Sequence, residues 1–281
     1  MADLSTGMIV WWLTLCTVSV FNIAITIRFW KTHLENRSGL NETAYGLQRK
    51  LLYLATIFVL GCAFRAFLPR ADTQRINLVN SWISSILVGR SVATIAELSF
   101  VIQWTIVLRA LARGLKMPRL AAAAAVLIPA IVVAEVFSWL GVLSTSSYWH
   151  VLEESIWACC EIFLTIASAF MWMHYRGPTK TFLSWMTVCG AIYVLFMLTI
   201  DVPTYYSRWR LETATGKELT GFAEGFHNLA YSWTTTHAAK DWQGEFVWML
   251  IYFSLAVWVS LAFTQAPLGR FSQDGASKHT V

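Results

Sequence analysis

The sequence predicts an all-α, polytopic membrane protein with seven transmembrane helices, and three observations carry that reading. Of its 281 residues 57% are hydrophobic and 13% charged, with a mean hydropathy of +0.54, whereas soluble domains carry about 25% charged residues. Seven apolar runs approach the roughly 20 residues a helix needs to cross the hydrocarbon. None alternates with period two, so each must satisfy its own backbone polar groups as a helix.

The first run, about residues 8–27, follows a short polar start without a cation and reads as a retained span, not a signal peptide. The next lie at about 51–68, 79–108, 120–143, 151–173, 182–200 and 246–266. Pro203 is expected to end the sixth. The connection 201–245 has an aromatic and basic start, Tyr205 to Arg210, and glycines at 216, 221, 225 and 244. It is expected to form an extracytoplasmic lid, with a short surface helix over Leu219 to Tyr231. No linker or internal repeat divides the chain, which reads as a single integral membrane domain, 1–281. The five cysteines all lie in apolar runs and form no C-x-x-C pair, so they read as packing residues.

Lys and Arg set the orientation. The first, third and fifth connections and the tail hold Arg28, Lys31, Arg37, Arg49, Lys50, Arg109, Arg113, Lys116, Arg119, Arg176, Lys180, Arg270 and Lys278, thirteen of the 21 cations. The amino terminus is therefore expected outside and the carboxyl terminus in the cytoplasm. The triplets Asn36-Arg-Ser and Asn41-Glu-Thr then fall on the cytoplasmic side and go unglycosylated. A bacterial inner membrane is the simplest location. The net charge of +5 belongs mostly to the cytoplasmic loops, so no nucleic-acid partner is implied.

Carboxylates inside apolar runs are the functional signal, since an ionised side chain at the membrane centre costs about 2.5–3.5 kcal/mol on insertion scales. Glu97, Glu135, Glu154 and Glu161 lie in such runs, with Arg90 beside them; Arg90 and Glu135 are expected in the outer half, Glu97 near the middle, Glu154 at the outer mouth and Glu161 about two turns deeper, all toward the outer leaflet. Arg90 and Glu97 are seven residues apart, about 20° on a helix, with Thr94 between them. His150, Glu154 and Glu161 share a second stripe, and His237, Asp241 and Glu245 a third, at the start of the last span. Together they predict an outward-facing polar cavity.

Three chemistries fit. Glu97, Glu135, Glu154, Glu161 and Arg90 are the candidate catalytic residues of a membrane-embedded enzyme doing acid/base work on a lipid-like or isoprenoid substrate, a small hydrophobic molecule reached from the bilayer. His150, His227, His237 and Asp241 are the candidate ligands of a divalent metal, the cofactor such donors would hold. The alternative is a proton-coupled transporter or relay, in which intramembrane Glu and Arg exchange partners. A structural subunit of a larger membrane complex is the third reading, with Arg90–Glu97 and Arg65 with Glu135 or Asp72 as pairs fixing helix register, and Glu153, Asp241 and Glu245 as solvated ends.

Two groups of seven-helix proteins are excluded by the last span. It lacks a lysine for a retinal Schiff base, and it lacks the His-x-x-x-His of membrane hydrolases that hold zinc by three histidines. No Gly-x-Ser-x-Gly supports a serine nucleophile.

Overall fold

The computed structural model describes residues 5–39 and 42–266. Among them seven helical spans are long and apolar enough to cross a membrane, which suggests an integral membrane protein. Arg270, Lys278 and Asn41, used above for orientation and glycosylation, lie outside the described residues.

Neighbours in sequence pack side by side. Helix α1 (Thr6–Glu35) lies on α2 (Glu42–Phe67), and α2 on α3 (Ile86–Gly114). The fourth span is broken into α4 (Pro118–Ala124) and α5 (Leu127–Ser144). Pro129 explains the break, because it has no N–H to offer the carbonyl four residues back. Helix α6 (Ser147–Trp172) packs between α5 and α7 (Gly177–Phe196). The last span closes the bundle against α1, α2 and α3.

The sixth span corrects the sequence reading. Pro203 does not end it: α7 passes through a π-helical turn, Met197–Asp201, into α8 (Val202–Thr215), with Pro203 in the first turn of α8. A widened turn removes the need for the N–H that proline lacks. Helix α8 ends at Gly216, whose φ of +63° is left-handed. The third span also begins later than expected, because Ser85 caps it by accepting from the Val88 N–H. The second begins earlier, and Asn36 falls in a 3-10 turn, Asn36–Gly39.

At the end of the bundle where α1 begins, three short strands form a small sheet. Strand β1 (Arg70–Ala71) pairs antiparallel with β2 (Ile76–Asn77), which pairs parallel with β3 (Thr234–Thr235). Helix α9 (Phe222–Tyr231) matches the expected surface helix and buries Leu229 against α3 and α5. A short α10 (Ala239–Trp242) follows, with Trp242 fully buried. The connection is thus a packed cap tied to the hairpin 70–77, and its end is called the sheet end below.

The last span runs as α11 (Phe246–Ile251), a second π-helical turn at Tyr252–Ala256, and α12 (Val257–Thr264). Asn22 of α1 donates to the Phe253 carbonyl at 2.9 Å, inside that turn, and accepts from Trp258 at 2.9 Å. Gln103 ties three spans together: its amide donates to the Leu51 and Ser260 carbonyls, and its oxygen accepts from the Ser260 hydroxyl at 2.6 Å. These contacts answer the absence of water, since a buried amide without a partner is costly.

Candidate functional site: a buried charge cluster around Arg90

Arg90 enters α3 one turn from its start, and Glu97 follows two turns later on the same face. The arginine donates to Glu97 Oε2 at 3.1 Å, as the spacing predicts. It also donates to Glu135 of α5 at 3.1 Å and faces Glu153 of α6 at 3.5 Å. One guanidinium therefore holds three helices by their carboxylates. Arg90, Glu135 and Glu153 are all buried.

Neighbouring polar groups complete the cluster. Thr94, the residue between Arg90 and Glu97, donates to Glu135 Oε2 at 2.6 Å and accepts from the Trp139 indole at 3.1 Å. His150 donates from Nδ1 to Glu153 Oε2 at 2.8 Å. Its ring lies 5.1 Å from that of Tyr205 on α8. Gly141 of α5 makes room for it, because a Cβ there would come within 2.6 Å of the imidazole Nε2. His150 and Gly141 line a cavity of about 30 Å³ at the sheet end, together with Asp72, Arg75, Ser147 and Lys217. That volume holds one or two water molecules.

Charge counting defines what the cluster can do. Three carboxylates around one guanidinium leave two negative charges uncompensated. Glu97 and Glu135 converge on the same guanidinium nitrogen of Arg90.

Beside the cavity a second charged group sits outside the spans. Arg70 donates to Asp72 at 2.9 Å, and its guanidinium lies over the backbone of Gly89, where a Cβ would overlap it. Burial alone would raise the Asp72 carboxyl, but Arg70, Arg65 and Arg90 outweigh it and hold it below the usual range. Burial lowers Arg70 to about 10. Glu245 accepts from Gln74 at 3.1 Å and Trp248 at 2.5 Å, yet burial pushes its carboxyl up.

Several expectations are corrected here. Glu135 bonds Arg90 and Asp72 bonds Arg70, whereas the Arg65 guanidinium lies over the rings of Trp248 and Phe253. Glu153 and Glu245 are buried partners, not solvated ends. Glu153 was legible as the i+3 neighbour of His150, but the stripe drawn at i+4 passed over it. Glu154 turns the other way, toward α7, where it is hydrogen-bonded to Asp201. Glu161 is buried further along the same seam.

The metal candidates do not converge. His150 is committed to Glu153, and His227 is exposed on α9. His237 donates to the Leu78 carbonyl at 3.0 Å, and Asp241 accepts from Thr236 at 2.6 Å. His237 precedes α10, so it shares no helical face with Asp241. Among the described residues no three His, Cys, Asp or Glu side chains form a group that could hold a metal ion.

Comparison with known proteins yields no match to a protein family, to a characterised protein or to a solved structure.

Proposed function

We propose that this chain is a proton-coupled membrane protein in which the cluster of Arg90, Glu97, Glu135 and Glu153 exchanges protons through His150. The observation that carries the proposal is the sharing of one arginine by three carboxylates, joined by His150 to a water-sized cavity. Ionisable groups inside a bundle that pair with one another are the parts of a proton relay. The cavity that reaches His150 is large enough for water and too small for a lipid. The excess of cations at the opposite end supports placing the sheet end outside, so that protons enter from there, in a bacterial inner membrane.

The test is proton flux into liposomes containing the purified protein and an internal pH dye, under a potassium-diffusion potential. Flux above empty liposomes, lost in Glu97→Gln and in Glu153→Gln, is expected. Flux no greater than in empty liposomes, or unchanged in both variants, defeats the proposal.

A second reading, the lipid-modifying enzyme, is favoured by one feature. An apolar groove of about 520 Å³ between the fourth span and α6 is lined by Leu127, Phe137, Ile156, Cys159 and Phe163. It could seat an acyl or isoprenoid chain. Residues 152, 156, 159 and 163 share a face of α6 turned well away from that of Glu154 and Glu161. A substrate in the groove would therefore meet those two carboxylates only if α6 rotated.

A further inference from the structure

Glu161 takes no part in the cluster around Arg90 and lies further along its span from the sheet end than the carboxyls that do. Counted from Ser147 at the sheet end it lies about 21 Å along α6 at 1.5 Å per residue, near the middle of a bilayer core. It is 5% exposed. Its Oε2 is buried and has no hydrogen-bond partner, and the same holds for the hydroxyl of Thr165 one turn further on.

Thr165 is one of several buried helical hydroxyls without a partner, with Ser19, Thr105, Ser138 and Ser168. In a helix a serine or threonine hydroxyl ordinarily bonds back to the carbonyl four residues earlier. Thr14, Thr17, Thr26, Thr56, Ser155 and Thr187 all do so here. Thr165 does not. Its hydroxyl is turned toward α7 at Gly190, where a Cβ would collide with it and would stand 2.9 Å from Glu161 Oε1. Two oxygens thus converge on a space that the missing side chain of Gly190 leaves clear.

We propose that Glu161 and Thr165, facing Gly190 across the seam of α6 and α7, form a proton-binding site in the middle of the membrane, and that a hydrophobic carbodiimide modifies Glu161 there. A carboxyl without a cation partner in hydrocarbon keeps the proton that neutralises it, and the hydroxyl is the acceptor waiting for that proton. Other titratable groups face the site from several elements. Glu154 and Cys160 lie on α6 itself. Tyr193 on α7 interacts with Glu161 and Glu154, and also with Asp201 and with Glu97 on α3. Glu135 of α5 is taken up by Arg90 and Thr94.

The modification balances without a further reagent. The carboxyl oxygen bonds to the central carbon of the carbodiimide, and the acidic proton passes to one of its nitrogens. The O-acylisourea so formed rearranges by O-to-N acyl transfer to a stable N-acylurea. One equivalent adds and nothing leaves, so intact mass and peptide mapping read the product directly. The site is independent of the flux reading, since labelling is detected whether or not protons cross the membrane.

The experiment treats the full chain in lipid nanodiscs with dicyclohexylcarbodiimide over a range of pH, beside a water-soluble carbodiimide. A single adduct is expected on Glu161, formed by the hydrophobic reagent only, and more slowly as pH rises. It should disappear in Glu161→Gln at an unchanged melting temperature, and its pH profile should shift in Thr165→Val. Equal labelling by both reagents, an adduct confined to Glu154 or Asp201, or no adduct on Glu161 at any pH would overturn the proposal. Protection by sodium ions at fixed pH would overturn the proton assignment and give the site to a cation.

Discussion

The two faces of α6 hold carboxylates in opposite ways. Toward α3 and α5, Glu153 joins Glu97 and Glu135 around Arg90, and each has a partner at 3.1–3.5 Å. Toward α7, Glu154 meets another carboxyl, Asp201, and Glu161 faces the unpartnered hydroxyl of Thr165 and Gly190. The same residue type on the same helix is thus a structural tie on one side and a carboxyl without a cation on the other. What differs is whether a neighbouring helix brings a cation. A buried charge is costly alone and tolerable when paired, so the α3 side locks helices together while the α7 side has no charge with which to lock.

That contrast is broken most severely at its centre. Arg90→Met leaves three carboxylates without their cation, and removing one partner of a buried pair costs about 3–5 kcal/mol. The largest loss of thermal stability in detergent is expected here, with partial recovery when Glu97→Gln and Glu135→Gln are added. A single variant as stable as wild type would show that the cluster holds nothing together.

Next comes Gly89→Ala, which places a methyl group on the Arg70 guanidinium. Overpacking of this kind costs about 1–3 kcal/mol, and the same melting assay should show it. If Gly89→Ala melts with wild type, the buried position of Arg70 is wrong.

Glu161→Gln is expected to change stability by less than about 1 kcal/mol, because no ion pair is lost. A loss as large as that of Arg90→Met would mean that the α7 side has a cation partner after all.

The smallest effect concerns pH and lies outside the spans. Asp72 is held below its ordinary value in the folded protein, so its contribution is present above the unfolded value of about 3.9 and is lost as pH falls below it. Glu245 runs the other way: its raised value favours the fold below about 4.3 and is lost as pH rises through the folded value. Asp72→Asn should therefore flatten the acid limb of a melting-temperature profile, and Glu245→Gln the higher limb. Unchanged profiles in both would remove these two groups from the pH response.

Much of the fold was legible because lipid imposes simple rules on a chain. Span count follows from the length and apolarity of runs, and the Arg90–Glu97 contact follows from a spacing of seven on one helix. Boundaries were less legible: Ser85 shortens the third span, and the π-helical turn before Pro203 carries the sixth to Thr215. A proline signals a stop only where its missing N–H must be supplied, and a widened turn removes that demand. The stripe of His237 and Asp241 assumed one continuous helix, whereas His237 precedes α10.

The sequence by itself determined the all-α architecture, the seven spans and the presence of buried carboxylates, since each depends on properties of one segment and its solvent. Tertiary structure alone decided which carboxylate has a cation. Glu153 and Glu154 are adjacent in the chain and about 100° apart on the helix, so one faces Arg90 and the other Asp201. No local pattern tells them apart, because the charge that distinguishes them is delivered by different helices packed on opposite sides.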